Sequence, residues 1–165
     1  MKRLNEKGFT IVELLTSFML ATVVMIFLFN ILISIKDGYL NHKEIADMNT
    51  DESFISRIIN EDAHNYVLTS EPLISGNKIT LNVECVSNAC GTEKQIVYTL
   101  ENRIFKKKIN TETKDSHELS DEITMTFPTS YNFKPYNTIK YYRMVFSLDS
   151  TLGKKSNVII YFPYK

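Results

Sequence analysis

Between Leu14 and Ile35 the chain carries no charged residue, reading LLTSFMLATVVMIFLFNILISI. As a helix, at about 1.5 Å per residue, that stretch spans roughly 33 Å, enough for a hydrocarbon core. Thr16, Ser17, Thr22 and Ser34 are tolerable inside it, because helical hydroxyls bond back to the preceding turn. Asn30 costs more, and its place is close to a membrane face. Beyond Ile35 the pattern turns amphipathic. Ile45, Met48, Ile55, Ile59, Ala63 and Tyr66 recur at three-, four- or seven-residue intervals, with Asp, Glu, Arg and Asn between them. Gly38 weakens a helix by about 1 kcal/mol relative to Ala, and Asn49 with Glu52 is able to cap a restarted one. The favoured reading is one helix from near Thr10 to about Tyr66, with a bend allowed at Gly38, its second half packed on a head.

After Tyr66 the period shortens to two. Ile79, Leu81, Val83 and Cys85 alternate with Lys78, Thr80, Asn82 and Glu84, as on a half-buried strand. Ile96, Tyr98 and Leu100 alternate likewise, and a turn at Glu101-Asn102-Arg103 leads into a third run over residues 104–109. Ile123, Met125 and Phe127 form a fourth, stopped by Pro128, and Tyr142, Met144, Phe146 and Leu148 a fifth. A turn over residues 151–154 precedes the sixth run, 158–162, which ends at Pro163. One helix followed by consecutive hairpins predicts an α+β fold, an antiparallel sheet laid on a long N-terminal helix.

At 165 residues with 44% apolar content, the chain fits one folded domain with an appendage and is too hydrophobic for a disordered protein. Its formal charge of zero provides no global field to recruit nucleic acid or anionic lipid. The balance is uneven, however. Three of the 19 basic residues (Lys2, Arg3, Lys7) and one of the 19 acidic ones (Glu6) lie in the first eight positions. A basic flank before an apolar run keeps the flank inside and sends the remainder out. An ordinary secretory signal has an apolar core of only about 7–15 residues and then a small-x-small cleavage site; SIKDGYLN, which ends the run here, offers none. A simple signal anchor would account for the run and its flank. It gives no reason for Glu13, a carboxylate joined directly to the run, which costs a few kcal/mol at membrane depth unless partnered.

The segment Lys7-Gly8-Phe9-Thr10-Ile11-Val12-Glu13-Leu14-Leu15 resembles the type IV prepilin signature: a basic leader ending in Gly, then Phe, then Glu as the fifth residue of the mature chain, then an apolar helix. The resemblance implies cleavage between Gly8 and Phe9 by a membrane-embedded prepilin peptidase, with N-methylation of Phe9. It makes Glu13 the assembly residue, which pairs with the terminal ammonium of a neighbouring subunit. Gly8 suits a protease cleft because it has no side chain to obstruct close approach, and the helix N-terminus favours a negative Glu13. The implied organisation is a cleaved leader (1–8), a transmembrane assembly helix (9–36) and an exported head (37–165). The chain departs from many major pilins in having no proline in this helix.

A second likeness lies in the head. Arg57-Ile58-Ile59-Asn60-Glu61-Asp62 on the helix and Tyr98-Thr99-Leu100-Glu101-Asn102-Arg103-Ile104-Phe105-Lys106 in a hairpin are similar to minor pilins of the PilW, pseudopilin J and competence ComGF type. Ile104 and Lys106 stand where that pattern has Leu and Arg. This likeness implies a minor subunit near a filament tip, with other pilin subunits, the prepilin peptidase and, before assembly, the cytoplasmic membrane as partners.

Other candidates have plainer readings. Asp47-x-Asn49-x-Asp51 begins like a calcium loop, but Glu52 occupies the position that needs Gly and Ile58 the one that needs Glu; a solvated helix face is expected. Lys106-Lys107-Lys108 would serve a DNA-contacting subunit, and the favoured reading is a strand edge protected by charge. His42, His64 and His117 have no metal-ligand spacing, and no nucleophile with its base is assembled, so neither an enzyme nor a cofactor or metal site is expected. Cys85 and Cys90 flank a short loop. A disulfide would add about 2 kcal/mol and is favoured over two buried thiols. Tyr131, Phe133 and Tyr136 sit in PTSYNFKPYNT, expected to be a loop tucked over the core as a lid.

The leading expectation is therefore a minor structural subunit of a type IV pilus, anchored in the cytoplasmic membrane with its head outside before assembly and extracellular afterwards. A competence pseudopilin touching incoming DNA and a pseudopilin of a secretion system remain alternatives. Residues 39–165 should be soluble once the membrane half is removed. In cells with the cognate peptidase, N-terminal peptide mass spectrometry should find the mature chain beginning at N-methyl-Phe9, and Gly8→Val should block that cleavage. Retention of residues 2–7 would overturn the pilin likeness.

Overall fold

The computed structural model describes residues 10–86, 95–128, 132–136 and 139–165, the side chains of 132–136 and 139 excepted. No proline occurs before Pro72, and a single helix α1 (Ile11–Asn65) runs unbroken through Gly38. The restart at Asn49 is therefore not used. The Asn65 carbonyl accepts the Val86 N–H at 2.9 Å, which satisfies one of the last carbonyls a helix leaves open. The chain divides into two compact units after His42. The first holds the apolar part of α1. The second, from Lys43 onward, holds the rest of the helix and all the strands.

Ten strands follow: β1 (Tyr66–Leu68), β2 (Leu73–Ser75), β3 (Lys78–Cys85), β4 (Gln95–Glu101), β5 (Ile104–Ile109), β6 (Glu112–Glu118), β7 (Ile123–Thr126), β8 (Asn132–Tyr136), β9 (Ile139–Ser150) and β10 (Lys155–Tyr164). They form one sheet in the order β6-β5-β4-β3-β1-β10-β9-β7, with β2 paired to β3 and β8 to β9. The α+β class holds, but the sheet is mixed rather than antiparallel, because β1 and β10 run parallel with Leu68 opposite Tyr164. The reason lies in the crossover from β6 to β7. It carries the chain to the far edge, the second group of strands is laid down inwards, and β10 meets β1 in its own direction.

Four strands have no counterpart in the six sequence runs. β1 and β2 are three residues each, too short to show a period. β6 contains no aliphatic side chain and no ring but that of His117, reading ETKDSHE, and is held by its ladder to β5. β8 occupies the stretch read as a loop: Asn132–Tyr136 pairs with β9 from Arg143 to Ile139. The lid is corrected to an edge strand there, and Tyr131 lies outside the described residues. The β4–β5 turn is tight, with Asn102 and Arg103 at φ 50° and 66°, the pair of left-handed residues a two-residue hairpin needs. Arg103 is held there by Asp121 and the Leu119 carbonyl.

Met48, Ile55, Ile58 and Ile59 of α1 pack into one core with β1, β3–β5, β7, β9 and β10. Phe127 joins its two halves, meeting Phe105 edge-on at 6.4 Å and Phe146 at 5.7 Å. Ile59 is 0% exposed and Ile159, on the outer face of β10, is 44% exposed. Ile59→Ala should thus cost about 2–5 kcal/mol, and Ile159→Ala less than about 1 kcal/mol. Urea unfolding of the purified 39–165 fragment measures both.

Candidate assembly site

The first turn of α1 is built around Glu13. Its Oε2 accepts the Thr10 backbone N–H and the Thr10 hydroxyl, both at 3.0 Å, and the Glu13 N–H donates to Thr10 Oγ1 at 3.3 Å. This reciprocal pair is a capping box: Thr and Glu three apart satisfy each other's backbone donors at a helix start. Both side-chain bonds fall on one oxygen, and Oε1 stands outside them. Gly8 and Phe9 lie outside the described residues.

Behind Glu13 the helix surface is apolar and uncovered. Ile11 is 80% exposed, and large apolar side chains remain exposed along the helix as far as Leu40. None of the most apolar window is buried inside the protein, and α1 is long and apolar enough to cross a membrane. The hydroxyls of Thr16 and Thr22 bond back to Glu13 O at 3.0 Å and to Met19 O at 2.7 Å. Those groups therefore enter an apolar medium already satisfied. A surface of this kind calls for lipid or other helices as its cover.

In the second unit, three carboxylates occupy the buried face of α1. Glu44, Asp51 and Asp62 are 4%, 1% and 1% exposed. Intervals of seven and eleven residues are close to two and three turns, so they share the stripe of Met48, Ile55 and Ile59. Each meets donors from the sheet or its loops. Glu44 accepts the Thr151 hydroxyl and the Leu152 N–H at 2.9 Å, in the β9–β10 turn. Asp51 meets His117 Nε2 at 2.7 Å and accepts the Ser120 N–H at 3.0 Å, in the crossover from β6. Asp62 accepts Lys107 Nζ at 2.6 Å and the Tyr98 hydroxyl at 2.5 Å. Desolvation works to raise the Glu44 carboxyl, and its donors, led by the Leu152 N–H, outweigh that and leave it below the ordinary range. At Asp62 burial wins, and the carboxyl is pushed up in spite of Lys107 and Tyr98.

These contacts correct two expectations. Asp51 does not belong to a solvated face; it is turned inward, and only Asp47 of that pair faces a surface cation, Lys43 at 3.9 Å. Lys106-Lys107-Lys108 is not a charge-protected strand edge, because β5 is paired on both sides, with β4 and with β6. Lys107 is buried on Asp62, and Lys106 pairs with Glu101 at 3.2 Å. His117 stacks on Phe54 with ring centroids 4.2 Å apart, whereas His42 and His64 are exposed. Cys85 is disulfide-bonded, and Cys90 lies outside the described residues. The helix and hairpin segments of the second likeness meet through Asp62 and Tyr98, and Arg57 lies 5.4 Å over the Phe54 ring. Among the described residues no group of three or more His, Cys, Asp or Glu is placed to hold a metal. The helical angle of the three inward carboxylates, shared with the apolar stripe, is the signal in the sequence that marks them as buried.

No known family matches the chain, and no curated protein or solved structure is similar to it.

Asp51→Ala would leave the part-buried Ser120 N–H without its acceptor and should destabilise the fragment 39–165 by about 1–3 kcal/mol. The same change at exposed Glu61 should stay within about 0.5 kcal/mol. Paired denaturation curves decide between them.

Proposed function

We propose that this chain is a type IV pilin-like subunit, cleaved between Gly8 and Phe9, held in the cytoplasmic membrane by α1 and then drawn into an extracellular filament. The observation that carries the reading is one carboxylate in the first turn of a helix whose apolar surface stays bare for some seven turns, ahead of a separately packed head. A plain anchor needs the bare helix and has no use for the carboxylate. A filament uses both: neighbouring helices cover the apolar surface, and Glu13 receives a neighbour's terminal ammonium, a charge pair strong in a dry setting. Oε1, outside the capping box, is the oxygen free to take it.

Within this class the chain is a minor subunit near the filament tip, on the strength of the helix and hairpin likeness. Because it keeps Glu13, its helix packs beneath another subunit. Competence and secretion pseudopilins share the same first turn. The DNA-contacting version is the less favoured, since the central lysine of its basic triplet is buried.

Glu13→Ala should leave membrane insertion and cleavage intact and lower the amount of subunit in sheared filaments by about tenfold or more, the loss of roughly 1.4 kcal/mol or more of pairing. Immunoblots of the membrane and sheared fractions read this, and wild-type incorporation would overturn the role of Glu13. Quantitative proteomics of the same filaments should find this chain far below the most abundant pilin.

A further inference from the structure

Lys107 and Asp62 stand apart from the other lysine–carboxylate pairs. Their side chains are 8% and 2% exposed, and among the described residues no other such pair has both partners below a tenth. The amine lies 2.6 Å from Asp62 Oδ1. Tyr98, directly opposite Lys107 on β4, donates its hydroxyl to Oδ2 at 2.5 Å, and its ring stacks on Phe105 at 5.8 Å. A second carboxylate, Asp115 of β6, has Oδ2 at 3.7 Å from the same amine and is 38% exposed. An amine and a carboxyl are thus held in contact in an apolar, aromatic setting, with a hydrogen-bond donor on one side and a proton acceptor with access to water on the other.

We propose that Lys107 and Asp62 condense into an amide, a covalent cross-link between β5 and α1. In a dry site an ion pair loses much of its advantage over the neutral pair, so a proton passes from the ammonium to the carboxylate. The neutral Nζ then attacks Cγ and a C–N bond forms. Tyr98 donates to the oxygen that takes up negative charge. Asp115 accepts a proton from the nitrogen and returns it to the departing hydroxyl. The C–OH bond breaks and one water leaves. Amine and carboxylic acid become amide and water, with no oxidant, cofactor or activating group needed. Fixed contact between the partners replaces the chemical activation that free amines and acids require. Burial raises the proton affinity of Asp62 and, more strongly, that of Tyr98, which is the direction this step requires of the reacting carboxyl and its donor.

The test is independent of the pilin reading. Full-length chain is purified from membranes, denatured, reduced and digested with trypsin. Mass spectrometry should find one branched peptide joining the segment of Asp62 to that of Lys107, lighter than the two together by one water, with no cleavage after Lys107. Lys107→Arg should give only linear peptides, and Asp115→Ala, at a half-exposed site, should fold and yield mostly linear chain. Two linear peptides from the wild-type protein, with cleavage after Lys107, would overturn the cross-link. Branched peptide at the wild-type level in Asp115→Ala would overturn the part given to Asp115.

Discussion

A carboxylate at Asp62 sits in the core among isoleucines and aromatic rings, where an unpartnered charge would cost several kcal/mol. The head is arranged around meeting that demand and the two like it. Asp62 requires Lys107 and Tyr98, which sets β4 and β5 over the C-terminal turns of α1. Asp51 requires the Ser120 N–H, which pins the crossover from β6 to β7. Glu44 requires the Leu152 N–H, which pins the turn from β9 to β10. Hydrophobic burial alone would let the helix slide or rotate over the sheet at small cost. Three buried acceptors, each with its own donors, leave one seating.

Most of the fold was legible because the period changes so cleanly along the chain. The uncharged run from Leu14, the amphipathic stretch to Tyr66 and the alternation from Ile79 onward each followed one template, and the end of α1 at Asn65 fell within a residue of expectation. The misses have physical causes. A three-residue strand has no period, and β6 has no apolar side to read because an edge strand is held by its backbone ladder and shielded by charge. The parallel pairing of β1 with β10 depends on where the crossover leads, which no local pattern encodes. At the candidate site, Glu13 was legible from its position against the apolar run. Its bond to Thr10 was equally so, since Thr-x-x-Glu ahead of an apolar stretch is a capping signature. Asp51 and Lys107 run against their residue type: helical angle puts the one, and strand parity with Phe105 the other, on the buried side.

One helix therefore carries two different surfaces. Up to Leu40 the hydroxyls of Thr16 and Thr22 are answered within the helix, and it carries an apolar surface outward. From Glu44 on, its buried carboxylates are answered by other parts of the chain. The division after His42 marks where the helix stops being a surface and becomes a scaffold.

The parallel seam between β1 and β10 sets an order of events during synthesis. β3 to β6 can fold by successive hairpins as they emerge, and β1 can join β3 early. The other edge of β1 then stays open until residues 155–164 have been made, because the Leu68 carbonyl takes the Lys165 N–H and Leu68 pairs with Tyr164. During that interval a half-built head presents an unpaired strand edge beside an exposed core, a template for β10 of another copy. Crowded nascent chains of this protein thus carry a hazard of strand exchange that the finished head does not, and its length is set by the speed of elongation rather than by the stability of the fold.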